Sequence, residues 1–343
     1  MGCKYGSHRV LEPKGVLPQP ALRLDNDFSR IEENEILVDV RALNIDSASF
    51  TQLEEAAGGD VSKIEAAILA IVAERGKMQN PVTGSGGMFI GTVAKVGAAL
   101  AGRDLKEGEK IASLVSLSLT PLRIDRIVRT HAEIDRVEIV GQAVLFESGI
   151  YAKLPDDMDE TLALAALDVA GAPAQAARLV GPGQSVLILG AGGKSGMLVA
   201  WEAMKRVGEA GRVVGNVYLA EDAATLAELG LCHEVVVADA TKPVALLDAV
   251  LAANGGTEYD VVFNCVNVQN TEMSSILPCR QEGTVYYFSM ATHFGKAALG
   301  AEGVGKDVTM IVGNGYAKGH ADLTLAGLRE NAKLRHLFET RYV

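Results

Sequence analysis

The sequence predicts an α/β protein in which a β-rich N-terminal domain precedes a doubly wound parallel sheet. From about residue 185 to residue 290, short β-rich runs alternate with helix-like segments, a pattern typical of a parallel sheet with right-handed crossovers. Before residue 150, alternating apolar and polar residues are separated by glycine- and proline-rich turns. A chain of 343 residues is long enough for two domains, each with its own core.

The composition and net charge argue against some classes of binding partner. Hydrophobic residues make up 48% of the chain and charged residues 22%, as in ordinary globular proteins. The net charge of -11 argues against nucleic acid or an anionic membrane as a partner. The sequence shows neither a signal-peptide pattern nor a run of about 20 apolar residues. We therefore expect a cytoplasmic protein, with reduced thiols at the scattered Cys3, Cys232, Cys265 and Cys279.

The N-terminal half, residues 1–152, is predicted to be the β-rich catalytic domain. The prolines near the N-terminus predict an extended, turn-rich start. A strand with alternating apolar residues is predicted after it, over residues 36–44. Apolar spacing then predicts a helix over residues 61–75, and a glycine-rich turn leads into a strand over residues 89–96. Residues 113–150 are β-like.

The second half, residues 153–310, is predicted to be the dinucleotide-binding domain, built of alternating strands and helices. An alanine-rich helix over residues 162–179 is interrupted near Gly171, and a strand at 185–190 and a helix at 193–208 form the first unit. The remaining predicted strands are 213–218, 234–238, 260–264 and 284–289, with helices at 223–229 and 244–253. Residues 311–343 form a last segment whose amphipathic helix, 323–338, we expect to pack on the first domain.

A glycine-rich turn follows the first strand of this half. Val186 to Leu189 are four consecutive apolar residues, as in a strand buried on both faces. A glycine turn between such a strand and a helix lets a pyrophosphate reach unpaired backbone N–H groups. The turn matches G-x-G-x-x-G inexactly, because Ser195 stands at the third glycine position. We predict a dinucleotide site made by Gly190, Gly192, Gly193, Lys194, Ser195 and Gly196.

The turn has two other interpretations. Gly193-Lys194-Ser195 looks like the end of a triphosphate-binding loop, but that motif needs a glycine at position 188, where the chain has Ile. The turn could also serve only to pack the strand against the helix. The flanking strand and helix favour the dinucleotide.

The choice of dinucleotide depends on the end of the second strand. Asn216 and Tyr218 stand there, and the first acids are Glu221 and Asp222. An acid about 20 residues past the glycine turn would hold the ribose hydroxyls of NAD. No Lys or Arg lies between Val213 and Thr241 to bind a 2′-phosphate, so the acids favour NAD and leave NADP open. At the ends of later strands, Asn264, Asn267, Ser289 and Met290 are expected to line the nicotinamide side.

Several segments resemble the medium-chain dehydrogenase/reductase superfamily. They are Lys153-Leu-Pro155-Asp156 ahead of the alanine-rich helix, Gly181-Pro-Gly183 before the first strand, and Leu229-Gly230 before Glu234-Val-Val-Val. The resemblance covers most of residues 30–290. It implies a GroES-like catalytic domain joined to a Rossmann dinucleotide-binding domain, and assembly into a homodimer or higher homo-oligomer.

A closer resemblance is to the L-erythro-3,5-diaminohexanoate dehydrogenases of lysine fermentation. It rests on residues 6–20, on Gly190-Ala-Gly-Gly-Lys-Ser-Gly-Met-Leu198 and on Met290-Ala-Thr-His-Phe294, and it runs from end to end. It implies NAD(P)-dependent oxidative deamination of (3S,5S)-3,5-diaminohexanoate to (5S)-5-amino-3-oxohexanoate and ammonia.

The chain departs from the zinc-containing members of the superfamily. Aligned on their signatures, Asp46 stands where the first zinc cysteine would be, Gly87 at the zinc histidine and Met88 at the glutamate. Zinc takes Cys, His or carboxylate ligands, so at most one candidate survives. We expect no zinc.

Metal-free oxidation of an amine requires a base, because an ammonium group cannot release a hydride. Asp46 is the first candidate, since it lies at the loop where this architecture keeps its reacting group. Glu12 and Glu147 follow, together with His131 and Glu133. The substrate carboxylate needs a cation, for which the sequence offers His8, Arg9 and Lys14 near the N-terminus.

Two alternative functions remain at this point. A zinc-free member could be an NADPH-dependent quinone or enoyl reductase, which donates a hydride to a carbon–carbon double bond. A redox sensor that binds a dinucleotide without turnover is the alternative outside enzymes.

Overall fold

A computed structural model describes residues 1–289, 291–313 and 315–343 of the chain. Its contacts divide the chain into two units, Met1–Asp156 and Asp157–Val343. The second unit runs on to Val343, and the separate C-terminal segment expected from residue 311 stays a prediction.

The first unit is built on a six-stranded antiparallel sheet. The order of its strands is β6-β7-β3-β4-β5-β8, and β1 pairs with β2 in a separate two-stranded sheet. The strands are β1 (Val10–Glu12), β2 (Arg23–Leu24), β3 (Glu35–Asn44), β4 (Met88–Val96), β5 (Lys110–Ser113), β6 (Leu122–His131), β7 (Arg136–Phe146) and β8 (Tyr151–Lys153), and the helices are α1 (Ser47–Ala57) and α2 (Val61–Arg75).

The two helices of this unit begin at aspartate N-caps. Asp46 accepts a hydrogen bond from the backbone N–H of Ser49, and Asp60 accepts from the N–H groups of Ser62 and Lys63. Such caps satisfy donors that a helix start leaves unpaired. α2 was predicted from its apolar spacing, whereas α1 was missed because few of its residues are apolar.

The second unit contains a six-stranded parallel sheet in the order β11-β10-β9-β12-β13-β14. Helices alternate with these strands, which confirms the predicted doubly wound fold. Its strands are β9 (Ser185–Leu189), β10 (Arg212–Val217), β11 (Glu234–Val237), β12 (Tyr259–Asn264), β13 (Cys279–Tyr287) and β14 (Thr309–Val312). Its helices are α3 (Glu160–Leu167), α4 (Gly171–Leu179), α5 (Lys194–Val207), α6 (Ala220–Leu229), α7 (Pro243–Ala253), α8 (Glu272–Ile276), α9 (Phe294–Gly303), α10 (His320–Glu330) and α11 (Ala332–Tyr342).

The central strand β9 fixes the edge at which the site forms. Leu189, its last residue, lies in register with Asn216 of β10 and Asn264 of β12, and Asn264 pairs with Tyr287 of β13. The turns after these parallel strands therefore meet at one edge of the sheet, where ligands bind in open α/β folds.

The C-terminal region forms two helices where the sequence predicted one. The break falls at Asn331, whose side chain accepts a hydrogen bond of 3.0 Å from the N–H of Leu334 and so starts α11. α10 packs on α3, α4 and α5, and α11 packs on α3 and α10. The expected packing of this region on the first domain stays a prediction.

In the part of the chain that the structure describes, no helix has the length and apolar character needed to cross a membrane.

Candidate functional site

Gly190 turns the chain at the end of β9. Its φ of 75° lies in the left-handed region that favours glycine. The N–H groups of Gly190 and Ala191 both donate to the carbonyl oxygen of Asn216, at 3.0 and 2.9 Å. The turn is thereby tied to the neighbouring strand β10.

Gly196 brings α5 close to this turn. A Cβ atom at Gly196 would lie 2.2 Å from the carbonyl oxygen of Gly190 and 2.6 Å from the Cα of Ala191. The close helix–strand packing normally given by the third glycine of the dinucleotide motif therefore falls to Gly196. Ser195, which the pattern put in that place, is buried.

Gly193 is the N-cap residue of α5, and it has no side chain that could accept a hydrogen bond from the first N–H groups of the helix. Within the described residues, no side chain caps this helix. Among the residues that the structure describes, a Cβ atom at Gly193 would approach only the carbonyl oxygen of Gly190, at 3.7 Å, so none of their atoms fills this side of the turn. The first N–H groups of a helix have no partner within it and carry the positive end of its dipole. A dinucleotide pyrophosphate fits this arrangement.

Gly192 lies against an acidic side chain. A Cβ atom there would be 2.7 Å from Cγ of Asp222 and 2.9 Å from its Oδ2. Asp222 belongs to the first turn of α6, and it reaches back over the glycine turn. Of the two acids proposed for the ribose, Asp222 has this position, whereas Glu221 is exposed.

Two residues at the C-terminus were missed by sequence reasoning. Nη1 of Arg341 lies 3.5 Å from Oδ1 of Asp222. Lys194, the first residue of α5, has its Nζ 5.7 Å from the centre of the Tyr342 ring and 3.0 Å from Oδ2 of Asp168. The end of α11 thus lies at the glycine turn. Because residues 213–241 contain no Lys or Arg, the sequence predicts no basic residue near this acid. The position of Arg341 corrects that prediction.

The side chain of Asn216 serves the sheet. It is buried and donates to the carbonyl oxygens of Val236 and Ala238, at 3.3 and 3.0 Å. These bonds tie β10 to β11 and occupy the amide that was expected to bind the cofactor. Tyr218 is 73% exposed beyond the strand end.

Asn264 likewise orders a loop at the same edge. Its Nδ2 donates to Oγ1 of Thr271 at 2.9 Å and to Oγ of Ser275 at 2.8 Å, and its Oδ1 accepts from the N–H of Val266. Asn267 is exposed in that loop, and Ser289 follows β13 with its Oγ accepting from the N–H of Ala291 at 3.1 Å. The predicted contact at Met290 lies outside the described residues.

In the first unit, Asp46 is the centre of a hydroxyl network. Its Oδ1 caps α1, and its Oδ2 accepts a hydrogen bond of 2.8 Å from Ser85. Ser85 lies 2.9 Å from the hydroxyl oxygen of Ser49, which lies 2.6 Å from that of Thr83. Asp46 is half-buried and Thr83 is exposed, so the chain of oxygens leads from the carboxylate to solvent.

Gly87 packs against the loop that carries Asp46. Its φ is 104°, and a Cβ atom would lie 2.0 Å from the carbonyl oxygen of Asn44 and 2.8 Å from the N of Asp46. A histidine at this position would collide with the backbone. Among residues 1–289, 291–313 and 315–343, no group of three or more His, Cys, Asp or Glu side chains is placed to hold a metal.

Arg9 and His8 are engaged within the fold. Arg9 donates to both carboxylate oxygens of Glu35, at 2.8 and 2.7 Å, and Nε2 of His8 lies 2.9 Å from Oε1 of the same residue. Burial raises the pKa of Glu35, but the hydrogen bonds from Arg9 and from the N–H of Glu32 outweigh it and hold that pKa below its usual value. Nζ of Lys14 donates to the carbonyl oxygen of Val10 at 2.6 Å.

These positions correct the predicted substrate site. Glu35 and Asp46 stand at opposite ends of β3, which at about 3.3 Å per residue are roughly 30 Å apart. A six-carbon substrate cannot span that distance, so the geometry gives His8 and Arg9 a structural role.

Of the other candidate bases, Glu147 lies at the Glu35 end of the antiparallel sheet and His131 at the Asp46 end. Glu147 follows β7 at the end where Phe146 pairs with Glu35, far from Asp46, and its Oε2 accepts from Asn34 at 3.0 Å. Glu12 is exposed on β1. His131 lies at the Asp46 end of the sheet, because it pairs with Arg136, which in turn pairs with Asn44. Nε2 of His131 is 3.1 Å from Glu138, and its Nδ1 is 3.6 Å from Glu133.

Comparison with solved structures identifies the architecture. CurK enoyl reductase superposes with a TM-score of 0.52 at 16% sequence identity, covering 91% of this chain and 80% of that one. At this identity the likeness concerns the fold alone, which this chain shares with that enoyl reductase.

Sequence comparison gives the family. Residues 8–155 match the N-terminal domain model of L-erythro-3,5-diaminohexanoate dehydrogenase. Two curated proteins with that name, from Acetoanaerobium sticklandii and Fusobacterium nucleatum, are 67% and 66% identical over 343 residues, which is 100% of this chain and 99% of each relative. The chain therefore belongs to the L-erythro-3,5-diaminohexanoate dehydrogenase family.

Proposed function

We propose that the protein oxidises L-erythro-3,5-diaminohexanoate at its 3-amino carbon, releasing 5-amino-3-oxohexanoate and ammonia, with NAD as the hydride acceptor. The substrate assignment rests on the full-length similarity to the two relatives of that name. The observation that carries the cofactor assignment is the uncapped start of α5 beside the open face of Gly193.

The second unit offers the groups that a dinucleotide needs. The first N–H groups of α5 are proposed to hold the pyrophosphate, and Asp222 to accept hydrogen bonds from the adenosine ribose hydroxyls. A carboxylate at the ribose supports NAD, because it would repel the 2′-phosphate of NADP. Bound NAD supplies the acceptor for the hydride that leaves the 3-carbon.

Asp46 is the proposed base. It takes a proton from the 3-ammonium group, which frees the nitrogen lone pair to assist departure of the hydride. Once this proton has been released, water attacks the resulting iminium carbon and the carboxylate accepts a proton from that water. Return of this proton to the nitrogen lets ammonia leave, while the new hydroxyl group loses its proton to form the ketone. The hydroxyl groups of Ser85, Ser49 and Thr83 provide a route for the released protons to solvent.

Arg136 is the cation that we propose for the substrate carboxylate. Arg136 of β7 pairs with Asn44 of β3, and Asn44 precedes Asp46 by two residues in the chain. A guanidinium group binds a carboxylate with two parallel hydrogen bonds and fixes its orientation. Arg136 thus replaces His8 and Arg9 in this role.

The reaction as proposed needs no zinc. The collision of any side chain at Gly87 with the Asp46 loop supports this, because it removes the place of the usual histidine ligand. We expect full activity after exhaustive dialysis against a chelator, with the zinc content measured in the same sample. One tightly bound zinc per chain, lost together with activity, would refute this part of the proposal.

The direct test is turnover of the purified protein with L-erythro-3,5-diaminohexanoate and NAD, followed at the absorbance of NADH. A matched control is 3,6-diaminohexanoate, which keeps the carboxylate and the 3-amino group and moves only the distal amine. We expect NADH and ammonia in equal amounts from the first compound and much slower turnover of the second.

The same assay separates the alternatives. NADPH oxidation with a quinone or an enoyl thioester, without amine oxidation, would favour a reductase. Dinucleotide binding without turnover of any of these compounds would favour a sensor.

A further inference from the structure

We infer that the ion pair between Asp222 and Arg341 decides which nicotinamide dinucleotide the protein binds. In this scheme Asp222 selects NAD, and Arg341 is a cation suited to the 2′-phosphate of NADP that Asp222 keeps occupied. The inference rests on the proposed cofactor site at the glycine turn.

Asp222 connects the glycine turn to the C-terminus of the chain. The Oδ2 side of its carboxylate lies against Gly192, where an added Cβ atom would be 2.9 Å from that oxygen. The other oxygen, Oδ1, lies 3.5 Å from Nη1 of Arg341. One carboxylate therefore faces both the turn that would bind the dinucleotide and a guanidinium group 119 residues away in sequence.

Arg341 is held in this position by independent contacts. Its Nη2 donates to Oγ1 of Thr225 at 3.1 Å, one turn along α6 from Asp222. The next residue, Tyr342, presents its ring to Lys194 at the start of α5. A guanidinium group carries five N–H donors in a fixed plane, so donors remain for a phosphate beside these two bonds.

The charges of the pair set the preference. With Asp222 present, the two charges offset each other, and the carboxylate can accept hydrogen bonds from the ribose hydroxyls but repels a phosphate. Without it, a positive charge is left beside the same ribose, and arginine binds phosphate with short, charge-assisted hydrogen bonds. Removal of one side chain should therefore reverse the selectivity.

The test uses direct binding of NADH and NADPH to the full-length protein, followed by the fluorescence of the reduced nicotinamide. No substrate is present, so the result does not depend on the assignment of diaminohexanoate. For Asp222→Ser we expect NADH to bind about tenfold more weakly and NADPH about tenfold more tightly than in the wild type, as for one charged hydrogen bond lost or gained. Asp222→Asn, which keeps the size of the side chain, should shift both affinities in the same directions.

The double variant Asp222→Ser/Arg341→Ala isolates the arginine. It should lose the gain for NADPH and keep the loss for NADH, whereas Arg341→Ala alone should weaken NADPH more than NADH. Arg335→Ala is the matched control, because Arg335 lies on the same helix and pairs with Glu339 at 2.9 Å. It should leave both affinities unchanged.

The possible failures are distinguishable. If the wild type binds neither dinucleotide, the cofactor site itself is wrong and the inference falls with it. If both bind but Asp222→Ser leaves their ratio unchanged, the inference alone is wrong. If the double variant retains the gain for NADPH, Arg341 is not the phosphate ligand.

Discussion

Ser85 donates a hydrogen bond of 2.8 Å to Oδ2 of Asp46, while the other oxygen of that carboxylate caps α1. Both oxygens are thus held by neutral donors, one from a side chain and one from the backbone. Such bonds fix the orientation of a base without neutralising its charge. The same arrangement leaves the carboxylate connected to solvent through the hydroxyl groups of Ser49 and Thr83.

Replacement of Asp46 by Asn should abolish most of the turnover. Asn is as good an N-cap as Asp, so α1 is retained, but the amide cannot accept a proton. We expect kcat to fall roughly 10²- to 10⁴-fold with NADH affinity unchanged, as measured by steady-state kinetics and fluorescence titration.

Asp60→Asn provides the matched control for this variant, because Asp60 caps α2 in the same way. It should retain full activity. A loss of less than about tenfold in Asp46→Asn would place the base elsewhere. His131 would then be tested before Glu147, because His131 lies at the same end of the sheet as Asp46.

Gly193→Ala tests the dinucleotide site with little disturbance of the fold. Gly193 has a φ of -83°, which any residue adopts, and within the described ranges an added Cβ atom meets only one oxygen, at 3.7 Å. The methyl group would instead occupy the space proposed for the pyrophosphate. We expect NADH to bind at least about tenfold more weakly, or about 1.4 kcal/mol, in a fluorescence titration.

Gly303→Ala is the control for this variant, since a Cβ atom there has no neighbour within 4 Å in the part of the chain that the structure describes. It should not change NADH affinity. Gly192→Val is a less direct test of the same idea, because its side chain would first displace Asp222. Normal NADH binding by Gly193→Ala would move the pyrophosphate away from this turn.

Local patterns in the sequence predicted the parts of the site that are close together in the chain. The buried run before Gly190 and the periodic segment after it were enough for the strand, the turn and the helix of the first βα unit. The contact of Asp222 with Arg341 could not be predicted, because no local signal links residues 119 positions apart. The contact depends on the break at Asn331, where α11 starts. The apolar pattern of the sequence predicts one continuous helix there.

The error at His8 and Arg9 has a different cause. Their residue types and their place in a shared motif suggested a ligand for a carboxylate, and the chain does supply that carboxylate, as its own Glu35. The pairing joins the turn before β1 to the start of β3, two segments that lie 26 residues apart in the chain. Composition alone does not distinguish a substrate carboxylate from one within the fold.

Arg9→Gln should therefore reduce stability rather than substrate affinity. Glu35 is fully buried, and without Arg9 its carboxylate keeps only the contacts with His8 and the N–H of Glu32. Removal of one partner from a buried ion pair typically costs about 3–5 kcal/mol. We expect that loss in the free energy of unfolding by urea, with KM for the diamino acid unchanged in the folded fraction. Lys14→Gln, at an exposed side chain, should change stability by less than about 0.5 kcal/mol. A higher KM without loss of stability would restore Arg9 as a substrate ligand.

The buried amine of Lys77 predicts a stability that rises with pH. Its side chain has no exposed surface, and Nζ donates to the carbonyl oxygens of Pro18 and Gln19 at 2.7 and 3.1 Å. Burial, together with the charge of Arg75, lowers the pKa of Lys77 from 10.5 to about 8. Below pH 8 the folded and unfolded chains both carry this proton, so the folded protein bears the full cost of a buried charge. Between pH 8 and 10.5 the folded chain releases the proton first, and the unfolded chain then binds more protons, so that stability increases.

The comparison of wild type with Lys77→Met removes the contributions of all other titrating groups. We expect the stability of the wild type relative to this variant to rise by about 2 kcal/mol between pH 7 and 9.5, from the part of the pKa shift that lies in that range. Lys153→Met is the control, because its hydrogen bonds with Asp104 and Glu109 raise the pKa of Lys153 and no such rise should appear. Urea unfolding at the two pH values measures both differences. A difference for Lys77→Met that does not change with pH would mean that the buried amine keeps its proton throughout, stabilised by the two carbonyl oxygens that it contacts.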